Sequence, residues 1–136
     1  MNFKGHLIAG MLVGGFLAYL PKFLNLPGFE QTNFFLLFLC FVLFSIFPDI
    51  DINSHPRIIF TCIFLSLMLL AFFLHNYFLL VINFILLILM LVSSHRGFLH
   101  SLPASFLFPL LVFFFTTRIE YYVFGWIGYI THLLLD

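Results

Sequence analysis

Charge is what this sequence has least of. Lys, Arg, Asp and Glu together make 7% of its 136 residues, against about a quarter in an ordinary soluble domain. Five basic residues balance five acidic ones, so there is no basic patch to neutralise phosphates, and a nucleic-acid binder is excluded. So little polar surface also excludes a soluble globular enzyme and a disordered tail. Cysteine is scarce as well. Cys40 and Cys62 lie in apolar runs with no CxxC pair, which rules out a disulfide framework and a thiolate metal site and predicts two small buried hydrophobes. Alternation of polar and apolar residues is missing too. Runs such as Phe34-Phe35-Leu36-Leu37-Phe38-Leu39 exclude a transmembrane β-barrel. There is no repeat, linker or low-complexity tract.

What is present is apolar: 64% hydrophobic residues and 23 phenylalanines, with a mean hydropathy of +1.22. Lipid is the solvent such a chain requires, and in lipid the backbone must satisfy itself within helices. Charges and breakers divide the chain into six candidate spans. They run from about Phe3 to Leu20 (stopped by Pro21 and Lys22), Asn33 to Phe47 (stopped by Pro48-Asp49), Arg57 to Leu74, Tyr77 to Val92, Ser101 to Thr116 and Glu120 to Asp136. The expected fold is all-α: a polytopic transmembrane helical bundle, one integral-membrane domain over residues 1–136. Lys4 and the apolar stretch after it have the outline of a signal peptide. No A-x-A-like site follows, and His6 with spaced glycines argues for a retained span.

In lipid every ionisable residue is costly, so its position carries information. The six spans put four polar groups on the face where the chain begins: His6, then Asp49 and Asp51, then Ser94 to Ser101, then His132 with Asp136. The other face keeps Lys22, Glu30, His75, Arg118 and Glu120, scattered. Helix ends ordinarily hold polar residues, which accounts for Lys22 or Arg118 but poorly for four His and three Asp on one face. His55, beside Pro56, reads as solvated, His75 as a turn marker, and Arg118 and Glu120 as flanks of a tight hairpin. Residues four apart lie about 40° apart round a helix. His6, Gly10 and Gly14 therefore form one stripe, and Gly125, Gly128, His132 and Asp136 another. Small residues let membrane helices approach closely, so both histidines fall on faces expected to pack inward.

His6, His95, His100 and His132 offer imidazole nitrogens, and Asp49, Asp51 and Asp136 offer carboxylates. These seven candidate ligands suffice for one divalent ion with spares, or for two sharing a carboxylate. Nitrogen and oxygen donors without thiolate favour zinc, manganese or iron over copper(I) or a cluster, zinc and manganese foremost. Asp49 and Asp51 are the candidate general bases. Arg96 is the candidate stabiliser of charge, because its planar fork suits a phosphate or a developing oxyanion; snorkelling to headgroups is its plainer role. Ser94 and Ser101 read as capping or supporting hydroxyls.

Taken in order, these elements resemble a known family. They are His6 followed by glycines, Phe47-Pro48-Asp49-Ile50-Asp51, His95-Arg96-Gly97-Phe98-Leu99-His100-Ser101, and Gly128-Tyr129-Ile130-Thr131-His132-Leu133-Leu134-Leu135-Asp136. The set is similar to the YdjM-like family of membrane-bound, metal-dependent hydrolases. That family's pattern is a His in the first helix, P-D-x-D, H-R-G-x-x-H-S and G-Y-x-x-H-x-x-x-D. The four elements lie in register over nearly the whole chain. The resemblance implies a multi-span inner-membrane protein with a metal site and hydrolase activity. It implies His6, Asp49, Asp51, His95, His100, His132 and Asp136 as the family's polar positions. Members usually run on beyond the final Asp of the pattern, whereas this chain ends on it. A looser likeness, to zinc-dependent phospholipases C with their His-x-x-x-Asp ligands, concerns chemistry alone.

The expected function is hydrolysis of an ester at the membrane interface, a phosphate ester or lipid-linked phosphate foremost, by water activated at a divalent ion. Membrane lipid is the expected partner and nucleic acid is not. One alternative is a metal or proton transporter, in which His and Asp relay ions; against it, the polar groups gather at one face and line no path. The other is a non-catalytic membrane partner protein with a structural metal site. Lys4, Arg57 and Arg96 on the site face outnumber Lys22 and Arg118 on the other, which by the positive-inside rule turns the site to the cytoplasm.

Overall fold

The computed structural model describes residues 3–51, 55–93 and 97–136. Among them are six α-helices and no strand: α1 (Phe3–Phe23), α2 (Phe34–Ile46), α3 (His55–Phe73), α4 (Tyr77–Val92), α5 (Leu102–Thr116) and α6 (Ile119–Leu135). Short 3-10 turns occupy Phe47–Asp51 and Phe98–His100. The helices begin where polar side chains can take up their first N–H groups. Asn33 Oδ1 accepts from the Phe35 and Leu36 amides at 2.9 and 3.3 Å. Asn76 Oδ1 accepts from Leu79 at 3.1 Å, and Ser101 Oγ from Ala104 at 3.3 Å. His75 takes a left-handed φ of 52° in the turn between α3 and α4. Thr117, at φ 56°, ends α5 ahead of a hairpin across which Arg118 Nε stands 3.9 Å from Glu120.

Two expectations need correction. The first helix does not stop at Pro21 but runs to Phe23. A proline in the last turn forfeits a single backbone bond, and the carbonyls of Leu20 and Pro21 are taken by the Leu24 and Leu26 amides at 2.9 and 3.0 Å. Cys62 is exposed and Cys40 only half-buried. Cys62 lies beside the exposed Ile63, on an outward face of α3.

By length and apolar composition, one helix (Lys4–Phe23) is long enough to cross a membrane, while α2, α3, α4 and α5 are apolar but shorter. At 1.5 Å per residue α1 measures about 31 Å, close to the thickness of a hydrocarbon core.

The chain forms two compact units, Met1–Pro48 with His100–Asp136, and Asp49–Leu99. The first contains α1, α2, α5 and α6. Along α1 the buried residues are His6, Gly10, Gly14, Ala18 and Pro21, a single stripe at helical spacing. A Cβ on Gly14 would come within 2.6 Å of the Phe41 ring, one on Gly10 would strike Ser45 Oγ, and one on Gly128 would strike the Phe41 backbone. These glycines let α1 and α6 lie close against α2. Ala18, Leu37, Phe41, Tyr121 and Phe124 form the core beneath them. The Tyr121 hydroxyl accepts the Asn33 amide at 3.1 Å, and Tyr129, fully buried, packs parallel to Phe108.

The second unit is the hairpin of α3 and α4. Thr61 Oγ1 donates to the Arg57 carbonyl at 2.7 Å and lies 3.9 Å from the Met90 sulfur. Asn83, buried in α4, returns its Nδ2 to the Leu79 carbonyl at 2.8 Å, so its amide is satisfied within its own helix.

Candidate metal centre

One end of the first unit gathers the start of α1, the last turn of α2, the residue before the cap of α5 and the last turn of α6. These supply His6, Ser45, His100 and His132, with Asp136 as the C-cap of α6. Neighbouring helices that run in opposite directions bring chain segments far apart in sequence to one level.

His132 is the anchor. It is fully buried, and its Nδ1 lies 2.8 Å from the Ser45 carbonyl oxygen. A carbonyl can only accept, so Nδ1 carries the proton and Nε2 carries the lone pair. Metal-binding histidines are commonly held this way, with the far ring nitrogen tied to a carbonyl. Nε2 faces His100 Nε2 at 3.4 Å. That is long for a hydrogen bond, and about the spacing of two nitrogens on one tetrahedral ion.

His6 completes the group. Its ring stacks on that of His132 with centroids 3.9 Å apart. It is 1% exposed, and among the described residues neither of its ring nitrogens has a hydrogen-bond partner. A buried polar group left in that state costs about 1–3 kcal/mol, a cost that a cation among these rings would offset. His6 Nε2 stands 3.8 Å from Asp136 Oδ1, and His100 Nε2 stands 3.8 Å from Asp136 Oδ2. Two donors on one ion are at most about 4.3 Å apart, so each of these separations fits a shared ion. His100, His132 and Asp136 each offer a ligand atom within 4.8 Å of the others. The donor set is nitrogen and oxygen, as zinc and manganese accept.

His6, His100, His132 and Asp136 are thus together. Asp49 is buried in the turn Phe47–Asp51 and opens the second unit, to which Asp51 also belongs. Ser94, His95 and Arg96 lie outside the described residues, as do the side chains of Asp51 and His55. Ser101 caps α5, as its hydroxyl predicts. Ser45 was not legible in advance. It is a hydroxyl residue in an apolar run, but its Oγ is spent on the Val42 carbonyl at 2.8 Å. The group that matters to His132 is its backbone oxygen, which any residue has.

An all-helical fold with two buried histidines, a half-buried third and a partly exposed carboxylate at one end of a helix group defines a class: a helical protein with a polar centre set in an apolar frame. No curated protein and no solved structure matches the chain. The family model does: over residues 1–136 the chain belongs to the YdjM inner membrane protein family. It is therefore an inner membrane protein by family.

Proposed function

We propose that this protein is a polytopic, metal-dependent hydrolase of the inner membrane that cleaves a phosphate ester, lipid-linked or lipid-derived, at the membrane interface. The observation that carries the reading is the His6, His100, His132 and Asp136 cluster, with His132 oriented by the Ser45 carbonyl and His6 buried without a hydrogen-bond partner among the described residues. Immersion of the whole chain is supported by its outward faces: Leu12, Phe16, Phe78 and Val92 are each at least two-thirds exposed. Soluble proteins rarely show apolar surface so continuously.

A divalent ion, zinc or manganese, would lower the pKa of a water and polarise the ester oxygen. The imidazoles of His6, His100 and His132 would hold that ion with the Asp136 carboxylate, which supplies the balancing negative charge. From the residue pattern, His95 is a further ligand. Asp49 or Asp51 accepts the proton of the attacking water as its oxygen bonds to phosphorus. The phosphorus–oxygen ester bond would break, and the leaving alkoxide would take up the proton that the aspartate had accepted from the water. Arg96 holds the phosphate oxygens by its planar fork as negative charge builds on them.

The test presents phosphate esters of lipids in detergent micelles with added zinc or manganese. Arg96→Lys keeps the charge and loses the fork, so turnover should fall by about 10²–10³, the cost of one transition-state donor, while the metal stays bound. Full activity in Arg96→Lys would reduce Arg96 to a membrane anchor and remove the main support for a phosphate substrate. Absence of metal-dependent hydrolysis in the wild-type chain would put a transporter or a partner protein ahead of the enzyme. On the excess of Lys and Arg we also propose that the site face is cytoplasmic. A cysteine placed at Asn2, in a chain freed of Cys40 and Cys62, should then resist an impermeant reagent applied to intact cells. Labelling from outside would reverse the orientation.

A further inference from the structure

The connection between α1 and α2 shapes a cavity of about 440 Å³, within the usual range of small-molecule sites. It lies at the far end of α1 from His6, about 24 Å along the helix, and so is separate from the candidate metal centre. Lys22 and Glu30 both line it, yet among the described residues neither side chain forms an ion pair or a hydrogen bond, with the other or with anything else. Asn25 also lines it, and its side-chain amide has no partner among the described residues. The frame is built, because Phe29 packs edge-on against Phe124 at 6.4 Å and the Asn33 amide is held by Tyr121 at 3.1 Å.

We propose that this cavity binds the headgroup of a zwitterionic aminophospholipid, with the ammonium against Glu30 and the phosphate against Lys22 and Asn25. Opposite charges that line one cavity without pairing offer two complementary contacts, and an anion or a cation would use only one of them. A ligand carrying both charges uses both. The chemistry of an ammonium and a phosphate also exists in soluble phosphoethanolamine. The surroundings favour the lipid. Leu26 and Phe34 line the cavity while 40% and 42% exposed. Phe34 meets the exposed Tyr19 edge-on at 6.2 Å. Together they form an apolar track along α1 and α2 on which acyl chains can lie, in a protein of an inner-membrane family.

The test is native mass spectrometry of the full chain released from micelles doped with phosphatidylethanolamine or phosphatidylglycerol. The wild-type chain should retain phosphatidylethanolamine about tenfold better, the worth of one charge-assisted contact. Glu30→Gln should abolish that preference by removing the partner of the ammonium. Lys22→Met should lower retention of both lipids. Both side chains are exposed, and unchanged helicity by circular dichroism checks that each variant is folded. Soluble phosphoethanolamine should displace the lipid only at large excess. Displacement at equal concentration would support the same two-charge site with the soluble headgroup as its ligand. Equal retention of the two lipids by the wild-type chain, or a preference that survives Glu30→Gln, would overturn the proposal.

Discussion

Replacing His132 by alanine is expected to remove bound metal and hydrolysis together. His132 presents Nε2 to the cluster because Nδ1 is tied to the Ser45 carbonyl at 2.8 Å, and its ring is the surface on which His6 stacks. The truncation takes away a donor, the fixed tautomer and the support for a second donor. Loss of an outer-shell partner alone costs about 10–100-fold in metal affinity or activity, so the loss of this ligand should exceed about 100-fold. Ser45→Ala is the informative companion. It deletes a hydroxyl that, among the described residues, bonds only the Val42 carbonyl and keeps the carbonyl that holds His132, so metal and activity should survive it. A His132→Ala chain that binds metal like the wild type would show that the cluster does not hold the ion.

Gly128→Ala should have the largest effect on stability among small substitutions in the first unit. The added Cβ would stand 3.0 Å from the Phe41 carbonyl carbon and closer still to its oxygen. Backbone cannot rotate out of the way as a side-chain tip can. Overpacking of this kind costs about 1–3 kcal/mol, and the relief available is to lift α6 off α2. That movement lengthens the bond between His132 and Ser45, so metal affinity should fall along with thermal stability in detergent. Gly15→Ala is the control. Its Cβ would meet nothing nearer than a Phe38 ring atom at 3.8 Å, and stability should hold or rise by up to about 1 kcal/mol, the helix preference of Ala over Gly. Equal melting temperatures for the two variants would refute the close approach of α6 to α2.

The six helices were legible because their ends are written in residues with strong local preferences. Asn33, Asn76 and Ser101 cap helices, and His75 and Thr117 turn the chain. Pro21 misled, since a proline in a final turn breaks little. The inward faces of α1 and α6 were legible from glycines spaced with the histidines, because burial and close approach demand the same positions. Cys62 was misplaced because a continuously apolar run does not say which of its faces turns outward. The meeting of His6, His100, His132 and Asp136 followed from the alternating direction of successive helices. The anchoring of His132 did not, because a backbone carbonyl leaves no mark in a sequence. The ordered polar elements also pointed to the family, which matches over the entire chain.

The metal content of the wild-type chain bears most directly on these conclusions. The protein should be purified in detergent without chelator, incubated separately with zinc, manganese and iron(II), freed of excess by gel filtration and analysed by plasma mass spectrometry beside His132→Ala. At least one retained ion per wild-type chain, absent from the variant, is the expected result; a wild-type chain that retains none of the three metals would contradict the metal centre and, with it, the proposed hydrolase.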